Sequence, residues 1–309
     1  MNIHNILVTG RLYHEVKPLL EGCRDKNFRF LPEHEVSEAD FAWADAYTAF
    51  KPTSSFRFGR LKWVHAMGAG VDAFLHGREW DQDVLLTRTT GPFGAKISEY
   101  CLSYMLTELQ CHKELGRNAA QGLWRPVVPR PLGGQKVVIF GTGAIGRDIA
   151  QTLSRFGVNV IGISRSGARQ PHFTQNLAMD QIDEALFEAD WVINTLPLTT
   201  GTEGLFNADL FRKLQSCAFI NVGRGASVQE KALVAAIRDG HVRLAVLDVF
   251  TEEPLPAEAP LWNTPGIVIT PHISAVTAPE EAAQSFIETL AAIEAGKAPG
   301  NAVHPDQGY

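Results

Sequence analysis

Six short apolar segments, at residues 137–140, 158–163, 191–195, 218–222, 244–247 and 267–269, recur at intervals long enough for a helix between each pair. Their apolar residues run consecutively rather than alternating with polar ones. A strand of that kind is buried on both faces, and strands alternating with helices place the burial in a parallel sheet covered by helices on each side. The expected fold class is therefore α/β and doubly wound.

The first of these segments runs directly into a glycine pattern: Val137-Val-Ile-Phe-Gly141-Thr-Gly143-Ala144-Ile145-Gly146, followed by helix-forming sequence from Arg147. In a GxGxxG turn between strand and helix, the first glycine makes the tight turn and the second lets the backbone approach a pyrophosphate. The third allows the helix to pack closely on the strand. Phosphate would sit at the helix N-terminus, where unpaired N–H groups and the helix dipole favour negative charge. About twenty residues on, where NAD-binding chains place an acid for the ribose hydroxyls, the second segment ends in Ser164-Arg165-Ser166. An acid there would repel a 2′-phosphate, whereas an arginine pairs with it. NADP(H) is the expected cofactor, with NAD(H) as the weaker option.

With 309 residues the chain can bury two cores of ordinary size without disulfides or metal. Ahead of the glycine motif, strands are expected at 3–9, 28–31, 62–65 and 84–86, with a helix at 13–21. A long connecting helix is expected over 94–116, and the Pro- and Gly-rich stretch 124–134 leads into the next strand. A final helix over 279–296 would return the chain to the first domain. The expected division is thus residues 1–96 with 275–309 for a discontinuous substrate-binding domain, and 97–274 for the dinucleotide-binding domain. A cleft between two domains is the usual place for a ligand. Trp124, at the head of the Pro-rich stretch, reads either as a core residue or as a contact with a second subunit.

A net charge of −6 provides no positive field for a phosphate backbone, which argues against nucleic acid as a partner. No apolar run reaches bilayer-spanning length, and none of the four cysteines, Cys23, Cys101, Cys111 and Cys217, has disulfide or metal spacing. No membrane association, no metal and a cytoplasmic location are the expectations.

Three more motifs fall at expected strand ends: Asn221-Val222-Gly-Arg224-Gly, Leu247-Asp248-Val-Phe-Thr-Glu252-Glu253-Pro254 and Thr270-Pro-His272-Ile-Ser274. That edge is where open parallel sheets bind ligands. Reduction of a 2-ketoacid needs a fixed cation for carboxylate and carbonyl oxygen, an acid for the forming alkoxide, and a partner that keeps the acid protonated. Arg224, His272 and Glu253 supply those three functions.

With these four motifs in this order and spacing, the chain resembles the D-isomer-specific 2-hydroxyacid dehydrogenase family over nearly its whole length, nearest to its glyoxylate/hydroxypyruvate reductase A subgroup. The resemblance implies a Rossmann cofactor domain, a smaller flavodoxin-like substrate domain and a homodimer. It further implies that Arg224 binds substrate, that His272 is the acid/base, and that Glu253, directly before Pro254, rather than Glu252, is its partner. Ala69, Gly70 and Val71 would present backbone N–H groups to the substrate carboxylate. Asp248 would help hold the nicotinamide carboxamide, and Leu196, Pro197 and Val222 would line the cofactor cleft. The small-molecule partner implied is a 2-ketoacid/2-hydroxyacid pair. Two other readings stay open at this point: a non-catalytic dinucleotide sensor resembling a corepressor, and a dehydrogenase of the same family acting on another small anion such as formate or phosphite.

Overall fold

The computed structural model describes residues 1–308. Two compact units make up the chain, Met1–Phe93 with Thr277–Tyr309, and Gly94–Val276. In the first, strands β1 (Asn5–Val8), β2 (Asn27–Phe30), β3 (Ala46–Ala49), β4 (Trp63–Ala66) and β5 (Leu85–Arg88) form an all-parallel sheet in the order β2-β1-β3-β4-β5. This is the flavodoxin-like order of a doubly wound sheet. The C-terminal helix Pro279–Glu294 belongs to this unit's core. It buries Ala282, Phe286 and Leu290 against Ile3, Ile6, Val8 and Trp63, with the Phe286 and Trp63 rings stacked at 4.9 Å. Beyond it the chain runs along β5, where the Val303 N–H donates to the Leu86 carbonyl at 2.9 Å.

The second unit holds β6 (Lys136–Phe140), β7 (Asn159–Ser164), β8 (Gln175–Ala178), β9 (Trp191–Asn194), β10 (Cys217–Asn221), β11 (Val242–Leu247) and β12 (Ile267–Ile269). The order is β12-β11-β10-β9-β6-β7-β8, again all parallel, which is the Rossmann arrangement with one further strand. Burial on both faces follows from the strand sequences. In β6, Val138 and Phe140 enter one apolar cluster and Val137 and Ile139 the other. The direction of winding reverses between β6 and β9, and the loops leaving those two strands flank the place where doubly wound sheets hold ligands. Among the described residues no helix is long and apolar enough to cross a membrane.

Several local expectations need correction. The connecting helix is two helices, Phe93–Leu109 and His112–Ala120, broken at Cys111, whose φ of 58° is left-handed and ends helical hydrogen bonding. The expected helix at 13–21 shortens to Tyr13–Val16 followed by a 3₁₀ turn at Pro18–Leu20, where proline removes a donor. Strands β3 and β8 were not expected. Trp124 is no core residue: it is 99% exposed, on an extended segment that also leaves Val128 88% exposed.

Candidate active site

The glycine loop follows β6 directly. Gly141 takes a φ of 101°, and helix Ala144–Ser154 begins after it with Gly143 as its N-cap. A Cβ on Gly146 would lie 1.9 Å from the Gly141 carbonyl oxygen, so only glycine lets this helix sit so close to the strand. A Cβ on Gly143 would meet nothing within 4 Å, and Gly143 and Ala144 are exposed. The first helical hydrogen bond closes from the Arg147 N–H to the Gly143 carbonyl, which leaves the N–H groups of Ala144, Ile145 and Gly146 without helical acceptors. An open cradle at a helix N-terminus fits the pyrophosphate of a dinucleotide.

At the end of the adjacent strand β7, the Ser164 and Ser166 hydroxyl oxygens accept the N–H groups of Gly167 and Ala168, shaping a turn that leaves the Arg165 side chain exposed. On the other side of the switch point, Thr195 donates to the Phe140 carbonyl at 2.9 Å, and Leu196 and Pro197 continue from β9 half-buried.

Arg224 stands in the turn after β10, following Val222 and Gly223. A buried polar clamp fixes the turn: Asn194 Nδ2 donates to Asn221 Oδ1 at 2.9 Å and to Ser227 Oγ at 2.8 Å, and Asn221 Nδ2 and Ser227 Oγ both donate to the Arg224 carbonyl. A Cβ on Gly223 would lie 2.7 Å from the Leu196 carbonyl oxygen, and one on Gly225 would lie 1.8 Å from the Phe250 carbonyl carbon. Missing side chains thus bring the arginine turn, the β9 loop and the β11 loop together.

His272 and Glu253 meet at the same edge. Nδ1 of His272 lies 2.8 Å from Oε2 of Glu253, and Oε1 of Glu253 accepts the Phe250 N–H at 2.9 Å. Burial works to raise the Glu253 carboxyl. Hydrogen bonds from His272 and the Phe250 N–H, with the charges of His272 and Arg224, outweigh it and hold the carboxyl below its usual range. His272 has a φ of 54°, a left-handed backbone that costs about 1–2 kcal/mol for a residue with a Cβ and persists only where neighbours enforce it. An apolar cavity of about 450 Å³, lined by Phe250, Pro254, Leu255, Trp262, Ile269 and Pro271, borders the pair.

Asp248 is wholly buried, and its carboxylate accepts Thr270 Oγ1 at 2.6 Å and the N–H groups of Ile273 and Ser274 at 2.8 and 2.9 Å. Those donors all belong to the loop that carries His272. Ala69, Gly70 and Val71 lie in the other unit, in the loop after β4, where the Ala69 carbonyl accepts Arg88 Nη1 at 3.3 Å. Sequence reasoning passed over Asn194, Ser227, Thr195 and Tyr100. Asn194, a polar residue ending an apolar strand, carried a signal; Tyr100, on a helix far from the motif in sequence, carried none.

The family model described as D-isomer specific 2-hydroxyacid dehydrogenase, NAD binding domain, matches residues 102–274. The chain belongs to the D-isomer-specific 2-hydroxyacid dehydrogenase family. The matched segment takes in β6 to β12 and the glycine loop, Arg224, Glu253 and His272 of this dehydrogenase. A glyoxylate/hydroxypyruvate reductase A of Yersinia enterocolitica is 33% identical, over 96% of this chain and 97% of that protein. A solved D-isomer specific 2-hydroxyacid dehydrogenase of Xanthobacter autotrophicus Py2, in complex with NADPH and MES, superposes with a TM-score of 0.89 at 31% identity, covering all of both chains. An NADPH-dependent glyoxylate/hydroxypyruvate reductase of Sinorhizobium meliloti, in complex with NADP and sulfate, gives a TM-score of 0.89 at 28% identity, covering 99% of this chain and all of that one.

Proposed function

We propose that this dehydrogenase reduces small 2-ketoacids of the glyoxylate/hydroxypyruvate type to D-2-hydroxyacids, with NADPH as the preferred cofactor. The observation that carries the reading is the 2.8 Å pair of His272 and Glu253, whose carboxyl also feels the charge of Arg224. Because Nδ1 is committed to Glu253, Nε2 is the nitrogen that faces substrate. The nicotinamide cofactor, when bound, contributes hydride donation to the carbonyl carbon. Arg224 holds the substrate carboxylate and draws charge onto the carbonyl oxygen. His272, oriented by the Glu253 carboxylate, gives the Nε2 proton to that oxygen as it becomes an alkoxide.

The dinucleotide rests on the backbone of Gly141, Gly143, Ala144, Ile145 and Gly146, with Leu196, Pro197 and Val222 beside it. Ser164, Arg165 and Ser166 supply a positive, hydroxyl-rich turn where an acid would reject a 2′-phosphate. NADPH and NADP bound to the Xanthobacter and Sinorhizobium relatives support the same preference. In this reading the unit built on β1 to β5 binds substrate, through the N–H groups of Ala69, Gly70 and Val71. The protein acts as a homodimer in this reading, and Trp124 and Val128, almost fully exposed on one extended segment, offer a partner chain an apolar and aromatic contact of the kind enriched at interfaces.

The test is steady-state turnover with glyoxylate, hydroxypyruvate and larger 2-ketoacids, each with NADPH and NADH, and chiral analysis of the product. The D-hydroxyacid formed fastest from a small ketoacid with NADPH is the expected result. No turnover with any ketoacid, despite dinucleotide binding, would contradict it.

A further inference from the structure

The side chains beneath the His272 loop form a chain of hydrogen bonds whose direction is set by counting donors. The Asp248 carboxylate only accepts, so the one hydroxyl hydrogen of Thr270 points to Asp248 Oδ1, 2.6 Å away. The phenol oxygen of Tyr100 lies 2.7 Å from Thr270 Oγ1, whose hydrogen is already used; Tyr100 must therefore be the donor. Burial pushes the Tyr100 phenol above its ordinary range and keeps that hydrogen in place. The chain runs Tyr100 to Thr270 to Asp248, and Asp248 also takes the Ile273 and Ser274 N–H groups. His272 sits between these anchored residues, its N–H donating to the Asp248 carbonyl at 2.9 Å and its backbone left-handed.

We propose that Tyr100, Thr270 and Asp248 are positioning residues that lock the His272 backbone in its left-handed conformation, so that Nδ1 stays on Glu253 and Nε2 stays aimed at the substrate carbonyl. The proposal rests on the reading of His272 as the proton donor. Tyr100 reaches the loop from helix Phe93–Leu109, and the groups that bond Thr270 and Asp248 are hydroxyls and backbone N–H groups, not the imidazole. The Tyr100 ring packs on Tyr104 at 4.8 Å, so a phenylalanine keeps that contact and removes only the hydroxyl.

Four variants test it: Tyr100→Phe, Thr270→Val, the double variant and Thr270→Ser. Misplacing a reacting group by an ångström costs on the order of a hundredfold in rate, and a loosened loop costs part of that. Thr270→Val should lower kcat by roughly ten- to a hundredfold, Tyr100→Phe by less, with NADPH Kd within about twofold of wild type. Because Tyr100 acts only through Thr270, the double variant should match Thr270→Val, and Thr270→Ser should restore most of kcat. In the cofactor-free protein, the imidazole ¹⁵N signals of His272 should show Nδ1 losing its hydrogen bond to Glu253 in Thr270→Val and keeping it in Thr270→Ser. Additive losses in the double variant, wild-type kcat in Thr270→Val, or unchanged ¹⁵N signals would overturn the proposal. His272→Ala separates it from the reading beneath it. Wild-type turnover in that variant would remove His272 as proton donor, while an inactive His272→Ala beside a fully active Thr270→Val would remove the positioning role alone.

Discussion

Glu253 holds His272 with one carboxylate oxygen and its own backbone turn with the other: Oε2 is 2.8 Å from Nδ1, and Oε1 takes the Phe250 N–H at 2.9 Å. The carboxylate is thereby fixed in place before substrate arrives, and the imidazole it holds needs no reorientation when the reaction begins.

A pH dependence follows. The Glu253 carboxyl lies below the ordinary range near 4.3, so it is ionised over all of neutral pH. A depressed carboxyl stabilises the fold above its unfolded pKa and loses that contribution as pH falls through the folded one. Wild-type enzyme should thus show no acid loss from this group above about pH 5. Glu253→Gln removes the carboxylate that holds Nδ1, and kcat/KM for reduction should fall by roughly ten- to a hundredfold across neutral pH. Rate profiles of both proteins at saturating cofactor give the answer; a wild-type rate in the variant would point away from Glu253.

Cofactor choice depends on Arg165. Loss of a charged hydrogen-bond partner costs roughly 1.5–3 kcal/mol, or about 10- to 150-fold. Arg165→Ala should lower kcat/KM for NADPH by that much and for NADH by less than about threefold. Equal losses with both cofactors would remove Arg165 from the phosphate site.

Much of this site was legible because its parts are local patterns. The glycine loop, Arg224 between two glycines, Glu253 before Pro254 and His272 after Thr-Pro each lie within a few residues at the end of an apolar strand. Strand β8, Gln175-Asn-Leu-Ala178, was not legible: it is a sheet edge, so only Leu177 is fully buried and the apolar run disappears. Strand β3, Ala46-Tyr-Thr-Ala49, is wholly buried, yet two alanines and a threonine give no hydrophobic peak. The helix break at Cys111 lacks the glycine or proline that usually marks one. The Tyr100–Thr270 hydrogen bond joins positions 170 residues apart and has no local trace.

The arginine turn is tightly packed as well as charged. Arg224→Lys keeps charge but loses the planar fork, so substrate KM should rise on the order of tenfold or more while NADPH affinity holds. Gly225→Ala would set a methyl 1.8 Å from the Phe250 carbonyl carbon, forcing the β10 and β11 loops apart. That variant should lose about 1–3 kcal/mol of stability and fall in kcat as well as in Tm. A Gly225→Ala protein with wild-type Tm and rate would show that the two loops need not touch.

Quaternary structure is tested at Trp124 and Val128. Buried tryptophans at interfaces contribute about 2 kcal/mol or more. Trp124→Glu with Val128→Asp should convert a dimer to a monomer at micromolar concentration, measured by sedimentation. An unchanged mass would mean that this segment is not the interface.

The most direct test of the proposed chemistry is reduction of glyoxylate and hydroxypyruvate by NADPH with wild type and His272→Ala, alongside NADPH Kd for both by fluorescence titration. General acid catalysis is worth about 10²–10⁴ in rate, so kcat should fall by at least two orders of magnitude in the variant at every pH, with Kd changed by less than about twofold. Turnover within a few-fold of wild type would mean that the proton comes from elsewhere, and the Arg224–Glu253–His272 mechanism would be wrong.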